Sequence, residues 1–517
     1  MDGQRHGAVR DQETPDASAT RVDDAPRPAA RRQVPDLTVR LLTGGAALLC
    51  VVVAVLSGVA GSEGDRVRMV LPLVLAVGLI VGVLALTRFA AYVMLMLAVR
   101  SCVDLFKLSG PTAGRADGGA GGRLSDPSTI LAVLFLLAAG LWLAAQLRRH
   151  GRLRTSPLGV ALLLVGATGL VSAFGAAQPT PSFLEALRIA TVVVMFLVLE
   201  QLMPDLPAVR RILLAVYASL ALAVGYTVVM SLLGSPPAEV KGGFTRISGP
   251  FTQSTTFGRY LMFMVIFGFG VYRHLERRWR VPMGVLLTLS LVFLLLTNTR
   301  SAIIGAGIGL VVVAVLHRSK RMLVALCLAV VVGVTLLPTV ADRFGQIGQS
   351  TAVGGGPTGN TLAWRVGYWS EIVTLANRNP VTGVGPNMTK FEADEAKKPH
   401  NDFLRAYVET GVLGLGAYLA MMLLCLHTGR TALRRAPPGS LPRGIAVGFL
   451  GCAVAFVAVS AASNVISNVV TLWYFAAFAA AASAVARGAA ATGPSTPAVR
   501  AGTGPSTPAV AAGGDIR

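Results

Sequence analysis

Of the six histidines in the chain, five (His6, His150, His274, His317 and His427) lie in or beside basic segments, and His400 stands apart in KKPHNDFLRAYVETG. Imidazole is the side chain that exchanges a proton near neutral pH, so His400 is the candidate general base. Its neighbours strengthen the case. Asp402 or Glu409 could orient the ring and support its charged form. Asn401 and Asp402 equally suit the N-cap of a following helix.

Arginine supplies the second kind of chemistry. Arg300 sits in LLLTNTRSAIIGAG, a turn of almost no length between two apolar runs. A guanidinium so close to hydrocarbon is costly unless it pairs or meets an anion. Arg246 lies in FTRISGPFTQSTTFGRY, and Arg365 in WRVGYWSEIVTLA. Guanidinium groups bind phosphate oxygens in pairs and keep their charge. Three of them around one histidine would suit a diphosphate leaving group. Snorkelling or a salt bridge explains any single one equally well.

Elements able to position such residues are apolar helices. Of the 517 residues, 53% are hydrophobic and 14% charged. Ordinary soluble domains carry roughly 25% charged residues. Apolar runs fall near 41–59, 69–87, 89–106, 129–147, 157–175, 183–202, 212–233, 258–272, 281–297, 302–316, 322–338, 404–427, 444–461 and 465–486. Within lipid each backbone amide must be paired internally, so these runs are helices. The expected fold is all-α, a polytopic bundle of about 12–14 transmembrane helices. Five parts follow: a disordered cytoplasmic tail at 1–39, N-terminal membrane helices at 40–233, a catalytic region at 234–427, C-terminal membrane helices at 428–486, and a low-complexity tail at 487–517. The catalytic region includes a long loop at 339–403, and loops of that length are usually functional. Within that loop, Trp364–Ala376 reads as a short amphipathic helix at the membrane surface.

The net charge of +21 would suggest nucleic acid in a soluble protein. Here the basic residues concentrate in short loops such as RRHGRLR, RHLERRWR, HRSKR and GRTALRRAPPGSLPR. The positive-inside rule then puts both termini in the cytoplasm and His400, Arg246, Arg300 and Arg365 outside. Anionic membrane lipid, and no nucleic acid, is the expected partner of the basic loops. The cysteines show no metal-ligand or disulfide spacing. No phosphate-binding loop or dinucleotide fingerprint occurs, and no metal or cofactor is expected. Two polar pairs inside apolar runs, Arg100 with Asp104 and Glu185 with Arg188, read as structural ion pairs. The glycines of GAGIGL at 305–310 read as helix-packing positions.

At these residues the chain resembles the O-antigen ligase and O-antigen polymerase superfamily. Arg246 followed by ISGPF is similar to that family's loop arginine segment. TNTRSAIIG is similar to its Thr-x-(Ser/Thr)-Arg turn. GVGPN followed by HNDFLRAYVETGVLGL is similar to its Gly-x-Gly, His-Asn and Glu-x-Gly signature. The segment after Arg246 departs from the pattern: it carries Gln253 and Ser254 where the family usually shows an asparagine. The resemblance implies a GT-C-like membrane glycosyltransferase that moves a glycan from undecaprenyl diphosphate to a glycan or lipid acceptor outside the cell membrane. It implies that His400 takes the acceptor's proton and that Arg246 and Arg300 hold the diphosphate. Arg365, Asn401 and Glu409 join them as expected substrate-binding residues. A different class, a transporter of lipid-linked glycans, would show charges in mid-span and repeated halves. No internal repeat is evident.

Overall fold

The structure, a computed structural model, describes residues 55, 66–106, 127–241, 244–336, 362–393 and 398–488. The expected tail at 1–39, the run at 41–59 apart from residue 55, the first part of the long loop and nearly all of the C-terminal tail lie outside the described residues. The chain divides into two units, Met1–Gly82 and Val83–Arg517. Helix α1 (Arg66–Thr87) begins in the first. The remaining elements belong to the second.

They are almost all helical: α2 (Phe89–Val99), α3 (Pro127–His150), α4 (Pro157–Phe174), α5 (Pro179–Leu202), α6 (Leu206–Leu232), α7 (Ser254–Tyr272), α8 (Arg277–Leu296), α9 (Arg300–Leu316) and α10 (Lys320–Leu336). After these come α11 (Leu362–Ala376), the single turn α12 (Thr389–Glu392), α13 (Asp402–Arg435), α14 (Leu441–Ser460) and α15 (Val469–Ala486). Their starts are written in local chemistry. Ser156, Asp205 and Ser440 each accept a hydrogen bond from a backbone N–H three residues on, and each is followed by proline in the first turn. Proline there gives up an N–H that has no partner in the helix anyway.

Among the described residues, nine helices are long and apolar enough to cross a membrane. The apolar part of α1 (Gly78–Thr87) and helix α9 are shorter. The run at 89–106 is not one helix, because α2 passes into a 3₁₀ segment at Arg100–Phe106. There Arg100 and Asp104 stand 3.9 Å apart, as the spacing predicts. Between the apolar runs 212–233 and 258–272 the chain forms a small antiparallel hairpin, β1 (Ala238–Lys241) and β2 (Phe244–Ile247), with Glu239 opposite Arg246.

Helices α7, α14 and α15 form the centre. In α15, 89% of the apolar window is buried, against 11% in α3, which marks the one as core and the other as rim. Small residues set the spacing in the centre. A Cβ on Gly270 of α7 would fall 2.3 Å from Gly448 Cα of α14, so these backbones touch. Gly305 and Gly309 of α9 seat against Met262 and Ile266 of α7, as expected of the GAGIGL glycines. Phe267 and Phe478 stack with centroids 3.9 Å apart and close α7 onto α15.

Candidate functional site

His400 is held from both sides by its neighbours in the chain. Pro399 gives its carbonyl to the Trp369 indole N–H of α11 at 2.7 Å. Asn401 caps α13, its side-chain oxygen accepting from Phe403 N at 3.0 Å and Leu404 N at 3.1 Å. Between these anchors His400 takes φ +56°, a left-handed conformation uncommon outside glycine. Its Nδ1 stands 3.3 Å from the Asn464 side-chain amide nitrogen.

Asn464 belongs to the short loop 461–468 between α14 and α15, and several groups build that loop. Buried Arg259 of α7 donates from Nη1 to the Asn464 carbonyl at 2.9 Å and from Nη2 to the Ser463 hydroxyl. Asp402 Oδ2 accepts from Val465 N at 2.8 Å and from Ile466 N at 3.3 Å. Ser463 Oγ also donates to Ser301 Oγ at 3.5 Å. Two adjacent loop residues therefore join the histidine to the turn that carries Arg300.

That turn comprises Asn298, with φ +48°, and Thr299, the N-cap of α9; Arg300 is the first helical residue. The Asn298 amide donates to Thr245 O of β2 at 3.5 Å, which ties the turn to the hairpin. Across the hairpin, Glu239 Oε1 accepts from Ser254 N at 3.0 Å and from Ser254 Oγ at 2.5 Å, locking the hairpin onto the start of α7. Arg246 is buried in this corner. Burial lowers its pKa, Glu239 pushes it back up, and the positive charge of Arg300 lowers it further. The two guanidiniums are thus near enough for the charge of one to act on the other.

A buried ionic network lies behind His400. Arg405 donates from Nε to Glu409 Oε2 and from Nη2 to Glu185 Oε1, both at 2.9 Å, and from Nη1 to Ser467 Oγ at 2.7 Å. Lys398 reaches Glu185 at 3.2 Å and Ser467 at 3.0 Å. Burial chiefly, helped by Arg405, lowers the Lys398 ammonium to about 8. Glu185 does stand 3.6 Å from Arg188, but its shorter ion pairs are with Arg405 and Lys398, so the local pair is one edge of a larger cluster.

The two glycine-rich signature pieces meet in space. Val384 N donates to Val408 O and Gly385 N to Glu409 O, each at 3.0 Å, and Val412 N donates to Pro380 O at 2.8 Å. This is possible because α13 breaks at Gly411, with φ +67° and ψ −169°. A Cβ there would meet Val381 O at 2.1 Å.

The structure therefore brings His400, Asn401, Glu409, Arg300 and Arg246 to one end of the bundle. Asn401 is engaged as a helix cap, and Glu409 by Arg405 and by Thr389 Oγ1 at 3.1 Å. Position 365 lies in α11 one turn before Trp369; its side chain is outside the described residues. Sequence reasoning passed over Asn464, Arg405, Lys398 and Arg259. A charge in the second turn of an apolar helix was the available signal for Arg259. Among the described residues, no group of three or more His, Cys, Asp or Glu could hold a metal ion.

Fold and site together define a multi-pass membrane protein of helical-bundle type, with a buried charged constellation at one end. Residues 284–419 match the family model for O-antigen ligase, so this stretch of the chain is similar to that family of membrane glycosyltransferase-like ligases and polymerases. The matched span includes Arg300 and His400, while Arg246 and Asn464 lie on either side of it. Comparison with curated proteins finds no match.

Proposed function

We propose that the protein transfers a glycan from an undecaprenyl-diphosphate carrier to an acceptor hydroxyl on the outer face of the cytoplasmic membrane. The observation that carries this reading is the Ser463–Asn464 bridge, which sets the His400 imidazole beside the Arg300 turn. In the reaction, His400 removes the acceptor proton as the hydroxyl oxygen bonds to the anomeric carbon. The bond from that carbon to the carrier phosphate breaks, and its electron pair leaves on the diphosphate. Arg246 and Arg300 neutralise the charge that develops there, the largest single means by which such sites lower a barrier. Attack opposite the leaving group inverts the anomeric centre. Arg365 of α11 is a further contact for the donor in this reading, while Asn401 and Glu409 act on the site through the α13 cap and the Arg405 pair.

The test is reconstitution in liposomes with short undecaprenyl-diphosphate glycans, following released lipid diphosphate and glycan length. His400→Ala is expected to lower release about 10²–10⁴-fold, the usual contribution of a general base, with membrane insertion unchanged. Release within a few-fold of wild type would remove the histidine from the mechanism. Glycan crossing the bilayer with no release would favour a transporter.

A further inference from the structure

We infer that Asn464 is a positioning residue that holds the His400 ring and selects one tautomer of its neutral form; the inference rests on His400 being the base. A neutral imidazole has one nitrogen free to accept a proton, and the partner of the other nitrogen decides which. A carboxylate from Asp402 or Glu409 could serve as that partner. Instead, Asp402 turns Oδ2 to the backbone of Val465 and Ile466, and Glu409 is bound by Arg405 and Thr389. The group set against Nδ1 is the Asn464 carboxamide.

The loop around Asn464 is built to hold it still. Its backbone carbonyl is taken by Arg259 and the preceding hydroxyl by Arg259 and Ser301. The two following N–H groups go to Asp402. Ser467 is bound by Arg405 and Lys398. Asn464 is itself buried, and its Oδ1 has no hydrogen bond, so the carboxamide has an acceptor to offer. Half a turn about the terminal bond of the side chain exchanges the NH₂ and the carbonyl. A base acting through Nε2 needs the proton on Nδ1, and in that arrangement Oδ1 accepts it. An amide in this place orients the ring without adding a negative charge beside the diphosphate subsite.

The measurement is made on the full-length protein in lipid nanodiscs, labelled with ¹⁵N-histidine. His400→Gln identifies the His400 signals, and the ring nitrogen shifts of the neutral form report the tautomer directly. Wild type is expected to show one tautomer, Asn464→Leu the mixture of an unconstrained imidazole, and Asn464→Asp, which keeps an acceptor, one tautomer again. The thermal midpoint of each variant checks folding. In the liposome assay, Asn464→Leu is expected to reduce kcat about 10–100-fold, as loss of an orienting partner does elsewhere. KM for the lipid-linked glycan should be unchanged, and Asn464→Leu should add nothing in a His400→Ala background.

The same tautomer mixture in wild type and Asn464→Leu would overturn the inference. A wild-type ring held as Nε2–H, and released by Asn464→Leu, would support Asn464 as the positioning residue while removing His400 as the base. The two ideas therefore fail separately.

Discussion

Helix α5 carries a buried glutamate near each end, about 22 Å apart at 1.5 Å per residue, and their surroundings differ. Glu200 takes one cation, Arg487 at 2.8 Å, and two neutral donors, Ser483 Oγ at 2.7 Å and Ser156 N at 3.1 Å. That is a tie between α4, α5 and the end of α15. Glu185 sits with Arg405, Lys398 and Arg188, and Arg405 also carries Glu409. Backbone geometry is unusual at the same end. Of the four described non-glycine residues with positive φ, Asn298, Asn387 and His400 belong to it, and Arg318 alone does not. An ion pair alone marks a joint. Multiple cations together with strained backbone mark the place where a bundle is arranged to do something.

Replacing the arginine at each end sharpens that contrast. Arg405→Met removes the partner of two buried carboxylates, so a loss of about 3–5 kcal/mol is expected, read as a fall in the thermal midpoint in detergent. Arg487 is one-third exposed, and Glu200 keeps its two neutral donors. Arg487→Met should therefore cost about 1 kcal/mol. Equal losses would erase the distinction between joint and site. The smallest effect is one of pH. The folded chain releases the Lys398 proton near 8 rather than at the ordinary 10.5. Between those values the unfolded state holds more protons, so this group's contribution to stability rises with pH. The difference in thermal midpoint between wild type and Lys398→Met should grow in favour of wild type across that window. A flat difference would place Lys398 in solvent.

Much of the bundle could be read from hydropathy, because lipid leaves the backbone few choices. The runs at 129–147 and 157–175 became Pro127–His150 and Pro157–Phe174. The instructive miss is 465–486. Val465 and Ile466 are apolar, so hydropathy runs the last span through them, yet α15 begins at Val469. Their N–H groups serve Asp402, and Ile466 lines an apolar cavity with Tyr418, Phe456 and Leu472. Side-chain polarity cannot show a backbone amide recruited by a carboxylate from another helix, so the loop and its Asn464 stayed hidden. Arg405 was obscured for a related reason: three partners from different segments had to converge before a buried guanidinium made sense.

The break at Gly411 gives the segment leading from His400 a fixed length. Asp402–Thr410 is uninterrupted helix between two anchored points, the Asn401 cap at one end and the seam with Val381–Gly385 at the other. Each residue of such a helix turns the chain by about 100° and advances it by about 1.5 Å. The direction in which His400 faces is therefore a phase, set by counting residues from the glycine. Substitutions along the segment leave that phase alone, whereas inserting or deleting a single residue would swing the imidazole away from Asn464. In this stretch chain length itself carries information, and it admits no small error.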